Sequence, residues 1–532
     1  MKSNRSHCRT LGALLLAPFC LSAADPAALS AGYELKILSV QGEVYVLRAG
    51  EKAETALKAA ETVRAGDRVR TAEFSRLELQ RPDGTPLVFD ELTDQVIHPP
   101  GEKTADYEIE VKQGGMFLRD LGKPKEQKFR TPLASGAILG TEFSIRVGAE
   151  GRTEVALFEG KVALTNNLGA VELAPGEEAI IEPGQAPSKR PLLNARAAVQ
   201  WALFYPGVLE PDALALAGEP ALAESLTAYR AGDLPAALAK YPKARTPASA
   251  SENAYFAQLM LAAGQVKRAE AALAGDSSAA AQAVRAIIAT VRGESGDGSA
   301  TDASGLLAAS YSAQARNDLP TALDQAKAAV AHASGFAFAH ARVAELEFSF
   351  GRIAAAETAL DRALELAPRN AQALALKGFL LAARNRTAEA VEWFDQAIAV
   401  DPHLGNAWLG RGLCRIRQGE LEAGRKDLQA AAAHEPTRAV LRSYVAKAFT
   451  DERNLDFAGR ELDRAKELDP NDPTAWLYAA LLRQQINTAA AVLAEAIPYD
   501  LFVSKVPRPL KGYCMDFSDL PSGFGIKAPG LL

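Results

Sequence analysis

Pro368, Pro402, Pro436 and Pro470 stand 34 residues apart. Small residues keep the same beat. Ten residues after each proline come Gly378, Gly412, Ala446 and Ala480. Later in each unit come Ala390, Gly424 and Ala458, then Ala397, Ala431 and Ala465. One step back, Ser334 takes the proline slot, with Ala344, Ala356 and Ala363 in phase. A period of this length is one supersecondary unit that cannot bury its apolar face alone, so copies must stack. The spacing predicts two antiparallel helices per unit. Small residues where the helices cross let their axes approach toward about 8 Å. Each proline ends the second helix, because it lacks an N–H and disfavours helix in the residue before it.

Trp408 and Trp476 fill an early aromatic slot, and Leu360, Phe394, Leu428 and Leu462 a later large-apolar slot. With the small positions and the period, these residues resemble tetratricopeptide repeats. The resemblance implies an all-α solenoid over residues 303–487, curved, with an inner groove lined by the first helix of each unit. Upstream, YRAGDLPAAL (229–238) echoes ARNDLPTAL (315–323), so residues 212–302 read as degenerate hairpins of the same kind. The groove-facing slots hold Arg342, Phe379, Asn406, Leu409, Leu413, Ser443, Lys447, Leu477 and Leu481, with Phe338 and Gln372 beside them. A groove of mixed polarity suits a helix or an extended peptide. Arg342, Asn406 and Lys447 fall on separate units, which argues against a shared carboxylate clamp. For any single slot, packing against the next repeat is an equal alternative.

The preceding region, residues 33–187, has another texture. Phe143, Ile145 and Val147 alternate with Glu142, Ser144 and Arg146. Val155 and Leu157, then Val162 and Leu164, repeat that alternation, and Gly160 and Pro175-Gly176 break it. Short strands at about ten-residue spacing predict an all-β sandwich, barrel or β-solenoid. The segments RTPLASGAILGTEFSIRV (130–147), FEGKVALTN (158–166) and LAPGEEAII (173–181) resemble the core of the FecR domain, and VRAGDRVRTAEFSRLELQRPDGTPLVF (63–89) resembles its lead-in. That family is the periplasmic sensing part of iron-uptake regulators. The resemblance implies an envelope setting. It does not imply anti-sigma activity, because no such segment precedes the β region here.

Lys2, Arg5 and Arg9 precede the apolar run Leu11–Leu21, and Ser22-Ala23-Ala24 supplies small residues. This reads as a signal peptide over residues 1–24. The run is shorter than the roughly 20 residues a spanning helix needs, and Phe19 before Cys20 argues against a lipid anchor. The mature chain is therefore expected in the periplasm or envelope of a Gram-negative-type bacterium, with no membrane span. Residues 188–211 read as a linker with a bridging helix (Asn194–Tyr205), whose Trp201, Phe204 and Tyr205 pack between the domains. In residues 488–532 the repeat fails and five prolines follow; the tail reads as irregular, the ending of a truncated or frame-shifted chain.

The formal charge of −6 and the absence of a basic stripe exclude a dedicated nucleic-acid binder. No His/Cys spacing suits zinc, and there is no nucleophile elbow or phosphate loop. No catalytic residue, metal or cofactor is expected. The functional expectation is an exported, non-enzymatic scaffold in which a FecR-type module precedes a superhelix that binds envelope proteins or peptides. The alternatives are a periplasmic ligand sensor without the anti-sigma segment, and an enzyme housed in the β domain.

Overall fold

The computed structural model describes residues 33–59, 61–98, 109–119, 126–192, 203–294, 301–451 and 453–485. The expected signal peptide, the irregular tail and most of the bridging helix lie outside these residues. Of the latter, Leu203–Tyr205 are described, and they are not helical.

The described strands are β1 (Glu34–Gln41), β2 (Val44–Leu47), β3 (Thr55–Ala56), β4 (Thr62–Arg64), β5 (Arg68–Thr71), β6 (Arg76–Gln80), β7 (Pro86–Phe89) and β8 (Asp94–Ile97). They continue as β9 (Ile109–Arg119), β10 (Glu126–Arg130), β11 (Ser135–Val147), β12 (Thr153–Asn166), β13 (Gly169–Leu173), β14 (Glu177–Ile181) and β15 (Ser188–Pro191). All belong to one sheet, in the order β15-β14-β12-β11-β10-β9-β7-β6-β1-β4 along its main path. The pairings are antiparallel except for the short β10–β9 contact. The alternation in β11 and β12 does what it predicts. Phe143 lies opposite Leu157 and Ile145 opposite Val155, and all four are buried. Strand β9 serves two stretches of sheet: Leu118 faces Leu87 and Phe143, while Ile109 faces Ile97. Gly114, at φ +89°, makes the bend, and a side chain there would strike the Thr93 backbone at 2.3 Å. The folded sheet closes over one core that includes Leu35, Val46, Leu79, Phe89, Val111 and Phe143.

The helical half opens with α1 (Ala223–Arg230), α2 (Leu234–Ala239), α3 (Ala250–Ala262), α4 (Val266–Ala272) and α5 (Ala279–Arg292). Regular hairpins follow: α6 (Ala303–Ala315) with α7 (Leu319–His332), α8 (Ala337–Ser349) with α9 (Ile353–Leu366), and α10 (Ala371–Ala383) with α11 (Thr387–Val400). Then come α12 (Gly405–Arg417) with α13 (Leu421–His434), α14 (Ala439–Asp451) with α15 (Leu455–Leu468), and α16 (Pro473–Gln485). Asp302, Asp318 and Asn370 cap α6, α7 and α10 with side-chain oxygens that accept backbone N–H groups. The small slots act as expected. A Cβ on Gly378 would lie 2.7 Å from the Phe394 ring, and one on Gly412 would lie 2.8 Å from the Gly424 carbonyl.

The proline slot has a second role. Trp408 and Trp476 donate their indole N–H to the carbonyls of Pro402 and Pro470, six residues earlier. In the intervening repeat Arg442 takes the tryptophan place and donates its Nε–H to Pro436 at 2.9 Å.

Candidate functional site

Two places gather polar groups: the inner groove and the seam between the β domain and the array.

The groove has an occupied part and an open part. Residues Leu203–Glu210 cross the first helices without forming helix or strand, with Val208 and Leu209 fully buried. Gln258 on α3 holds this segment by both ends of its amide, donating to the Pro206 carbonyl and accepting from the Val208 N–H at 3.1 Å. The Tyr229 hydroxyl accepts from the Leu209 N–H and donates to its carbonyl. Ser304 accepts from the Glu210 N–H. Gly207 lies under the Phe338 ring, where a Cβ would approach to 2.9 Å. The chain thus supplies its own segment to the upstream groove. Phe204, expected in a bridging helix, packs in this track against the α8–α12 core, and Tyr205 is buried.

Next to it lies an open cleft of about 550 Å³, counting the space at its mouth, walled by α8, α10 and α12. Phe348, Ala375, Leu376 and Phe379 make its apolar floor; Gln372 and Asn406 stand at its rim. Gln372 also borders the space around Phe204, so the cleft continues the occupied track.

Three of the residues read from the sequence, Arg342, Phe379 and Asn406, meet in this cleft. Arg342 is buried. Its guanidinium donates to Ser310, Gln314 and Glu345 and lies 4.1 Å above the Tyr311 ring. Burial pushes the Tyr311 hydroxyl up to about 12, against the pull of Arg342. Arg342 therefore uses four of its five N–H donors, three of them to tie α8 to α6. Asn406 accepts from Arg438 at 2.8 Å. Leu409, Ser443 and Leu477 are buried within the array, the packing alternative for those slots. Leu413, Lys447 and Leu481 are half-buried further along, and Lys447 pairs with Asp451.

The seam is the part sequence reasoning did not find. Four charged residues, at most 4% exposed, alternate across it. Arg119 of β9 bonds Glu461 of α15, and Arg442 of α14 bonds Glu142 of β11. Arg442 also lies 3.5 Å from Glu461, and Arg119 lies 4.0 Å from Glu142. Burial opposes the charge on Arg442, and the Glu142 and Glu461 carboxylates outweigh it. A buried ring of this kind costs desolvation and is tolerated only while every charge keeps its partner.

A second cluster lies where β6 meets α12 and α13. Glu78 Oε1 is 3.3 Å from His403 Nε2 and 3.0 Å from His434 Nδ1, and all three side chains are at most 3% exposed. The two imidazole rings are 5.8 Å apart, edge to face. Burial alone would raise the Glu78 carboxyl; His434, His403 and Arg76 overcome it and hold it at about 2. Around this cluster Gln80 donates to the Lys426 carbonyl, and Gly84 sits against Gln429. Beside it, Gln41 and Arg76 donate to the carbonyls of Ala262 and Ala263 at the end of α3. Phe74 packs on the upstream helical core.

Among the described residues no group of three His, Cys, Asp or Glu side chains is placed to hold a metal, and no helix is long and apolar enough to cross a membrane.

Comparison with known proteins agrees with this anatomy. The FecR protein family matches residues 67–163, and the tetratricopeptide repeat family matches residues 371–404. No curated protein matches the chain. Among solved structures, PilW, a type IV pilus biogenesis factor, is 18% identical, covers 40% of this chain and 97% of its own, and has a TM-score of 0.32. A tetratricopeptide protein from Thermus thermophilus is 20% identical over 34% of this chain and 98% of its own, with a TM-score of 0.31. A putative anti-sigma factor from Parabacteroides distasonis is 23% identical over 26% of this chain and 68% of its own, with a TM-score of 0.22. A strand-rich module that the FecR family matches over residues 67–163, and a stack of helical hairpins of which the tetratricopeptide family matches residues 371–404, give this chain a FecR domain and tetratricopeptide repeats, joined by a buried seam.

Proposed function

We propose that the chain is an exported, non-enzymatic envelope scaffold whose open cleft holds an extended, mainly apolar peptide segment of a partner protein. The two matched families are of regulatory or scaffold type, which supports a protein-interaction or regulatory role. The observation that carries the finer reading is the segment Leu203–Glu210. It is held by side-chain amide and hydroxyl groups reading its backbone, and the cleft beside it offers the Gln372 and Asn406 amides over an apolar floor.

Photo-crosslinking in native envelopes tests this. A crosslinker at Asn406 is expected to trap one partner through a single extended segment, and one at Asp395, on the outer face of α11, to trap none. Equal trapping from both positions, or none from Asn406, sinks the reading. Export is tested by the mature N-terminus, expected at Asp25 in the envelope fraction.

The buried seam favours a second reading, a sensor whose β domain passes its state to the array. A ligand that binds the β domain and alters capture at Asn406 would select it.

A further inference from the structure

Arg76 of β6 is buried in the seam. It donates to the Ala263 carbonyl at the end of α3. Three carboxylates act on its charge, those of Asp90, Glu78 and Asp401, and so does the Tyr205 hydroxyl. Asp90 and Glu78 belong to the β domain, Asp401 to the turn before α12, and Tyr205 to the segment that fills the upstream groove. A buried guanidinium is tolerated only while such partners surround it. Arg76 therefore fixes the β domain, the turn and the segment relative to one another.

Both of its array-side partners lead to the open cleft. The Asp401 carboxylate accepts the His403 N–H at 3.0 Å, and the Asp401 carbonyl accepts the Leu404 N–H at 3.4 Å. Leu404 and Asn406 line the cleft. Tyr205 is joined to Phe204, and Phe204, Asp401 and Gln372 border one small space beside the cleft. Gln372 lines the cleft as well. No described residue of the β domain lines it; that domain reaches the cleft from behind, through the wall that α12 makes and through the segment at its edge.

We propose that Arg76 is a positioning residue through which the FecR-type domain sets the shape of the open cleft. The proposal rests on the cleft being the binding site of the preceding reading, and adds what holds its walls in place. Without the guanidinium, three carboxylates remain gathered in a closed seam, and like charges repel strongly where water is excluded. Glu78 is fixed within β6, and Asp90 is paired with Arg146 at 2.9 Å. Asp401 stands in a turn, so the array side yields, and Leu404 and Asn406 move with it. Tyr205 loses the cation it packs beside, which loosens Phe204 at the edge of the cleft.

The test is amide hydrogen exchange on the full chain, which needs no partner. Arg76→Met keeps the length of the side chain and removes its charge. Peptides spanning residues 203–210 and 401–408 are expected to exchange about tenfold faster in this variant, and α9, which touches neither, at the wild-type rate. Arg76→Lys returns a cation to the site and is expected to restore most of the protection. Asp401→Asn breaks the same contact from the array side, and is expected to give the same two-segment response should Arg76→Met not fold. Val155→Ala weakens the β core away from the array and is expected to leave both segments protected. Unchanged protection in Arg76→Met and Asp401→Asn overturns the proposal. So does a rise that α9 shares equally, or one that Val155→Ala reproduces. Crosslinked capture from Asn406 is expected to fall in Arg76→Met and to return in Arg76→Lys. Capture that fails in the wild type sinks the cleft reading instead, and the exchange rates still decide whether Arg76 holds the walls.

Discussion

Helices α11 and α13 occupy the same place in successive repeats, yet they meet different surroundings. On α11 one stripe is buried, Ala390, Phe394, Ala397 and Val400, and Asp395, Gln396 and Ala399 face solvent. On α13 the corresponding residues are Gln429, Ala430 and Ala433, and every residue from Asp427 to His434 is buried. Val400 corresponds to His434. The repeat frame is the same in both; the difference is the β domain, whose Gln80, Gly84 and Glu78 meet α13. Stacking uses one stripe of the second helix, and the opposite face is left to be charged or to be docked.

Four experiments press on that contrast. Glu461→Ala leaves Arg119 and Arg442 facing each other in a closed seam, and is expected to cost about 3–5 kcal/mol in denaturant unfolding. A cost below about 1 kcal/mol would mean the seam is not closed in solution. Gly378→Leu drives a side chain into the Phe394 ring and is expected to cost about 1–3 kcal/mol. An unchanged unfolding curve would mean the two helices do not cross at this slot. Ala430→Gln gives the docked helix the residue its undocked counterpart carries, and overpacking predicts a loss of about 1–3 kcal/mol. The reciprocal Gln396→Ala should stay within about 0.5 kcal/mol; equal effects at the two positions would erase the distinction. Smallest in stability, Gln372→Ala with Asn406→Ala should shift unfolding by about 1–2 kcal/mol in total, yet abolish the crosslinked partner. Undiminished capture would move the binding site elsewhere.

The repeat frame was legible because it is local arithmetic: Pro402, Gly412, Gly424 and Ala431 each announce a contact within one hairpin. The FecR-type strands were legible for the same reason, since Phe143 and Ile145 pair with Leu157 and Val155 across one turn. The cleft was half legible. Slot counting placed Arg342, Phe379 and Asn406 on one wall, but could not show that Arg342 spends its donors on Ser310, Gln314 and Glu345. Nor could it show that Leu203–Glu210 of the linker would enter the groove as an irregular segment. The seam was not legible, because Glu78 and His434, or Arg119 and Glu461, are separated by hundreds of residues and no period relates them. One trace existed. The run Ala430–Ala433 lacks the charges that α9 (Arg362, Glu365) and α15 (Arg464, Lys466, Glu467) carry at the same slots, and Arg442 stands where Trp408 and Trp476 stand in adjacent units.

The β domain touches the array at two stations far apart in the sequence, the Ala262–Ala263 turn and the stretch from His403 to Glu461, and Arg76 and Glu78 of one strand reach both. A single strand thus ties together helices that the sequence separates by four hairpins, which fixes how the array curves between them. Solenoids of this kind ordinarily lengthen or shorten by whole units with little penalty. Here the intervening count is fixed: one 34-residue unit gained or lost between the stations would carry one foothold out of reach of the other.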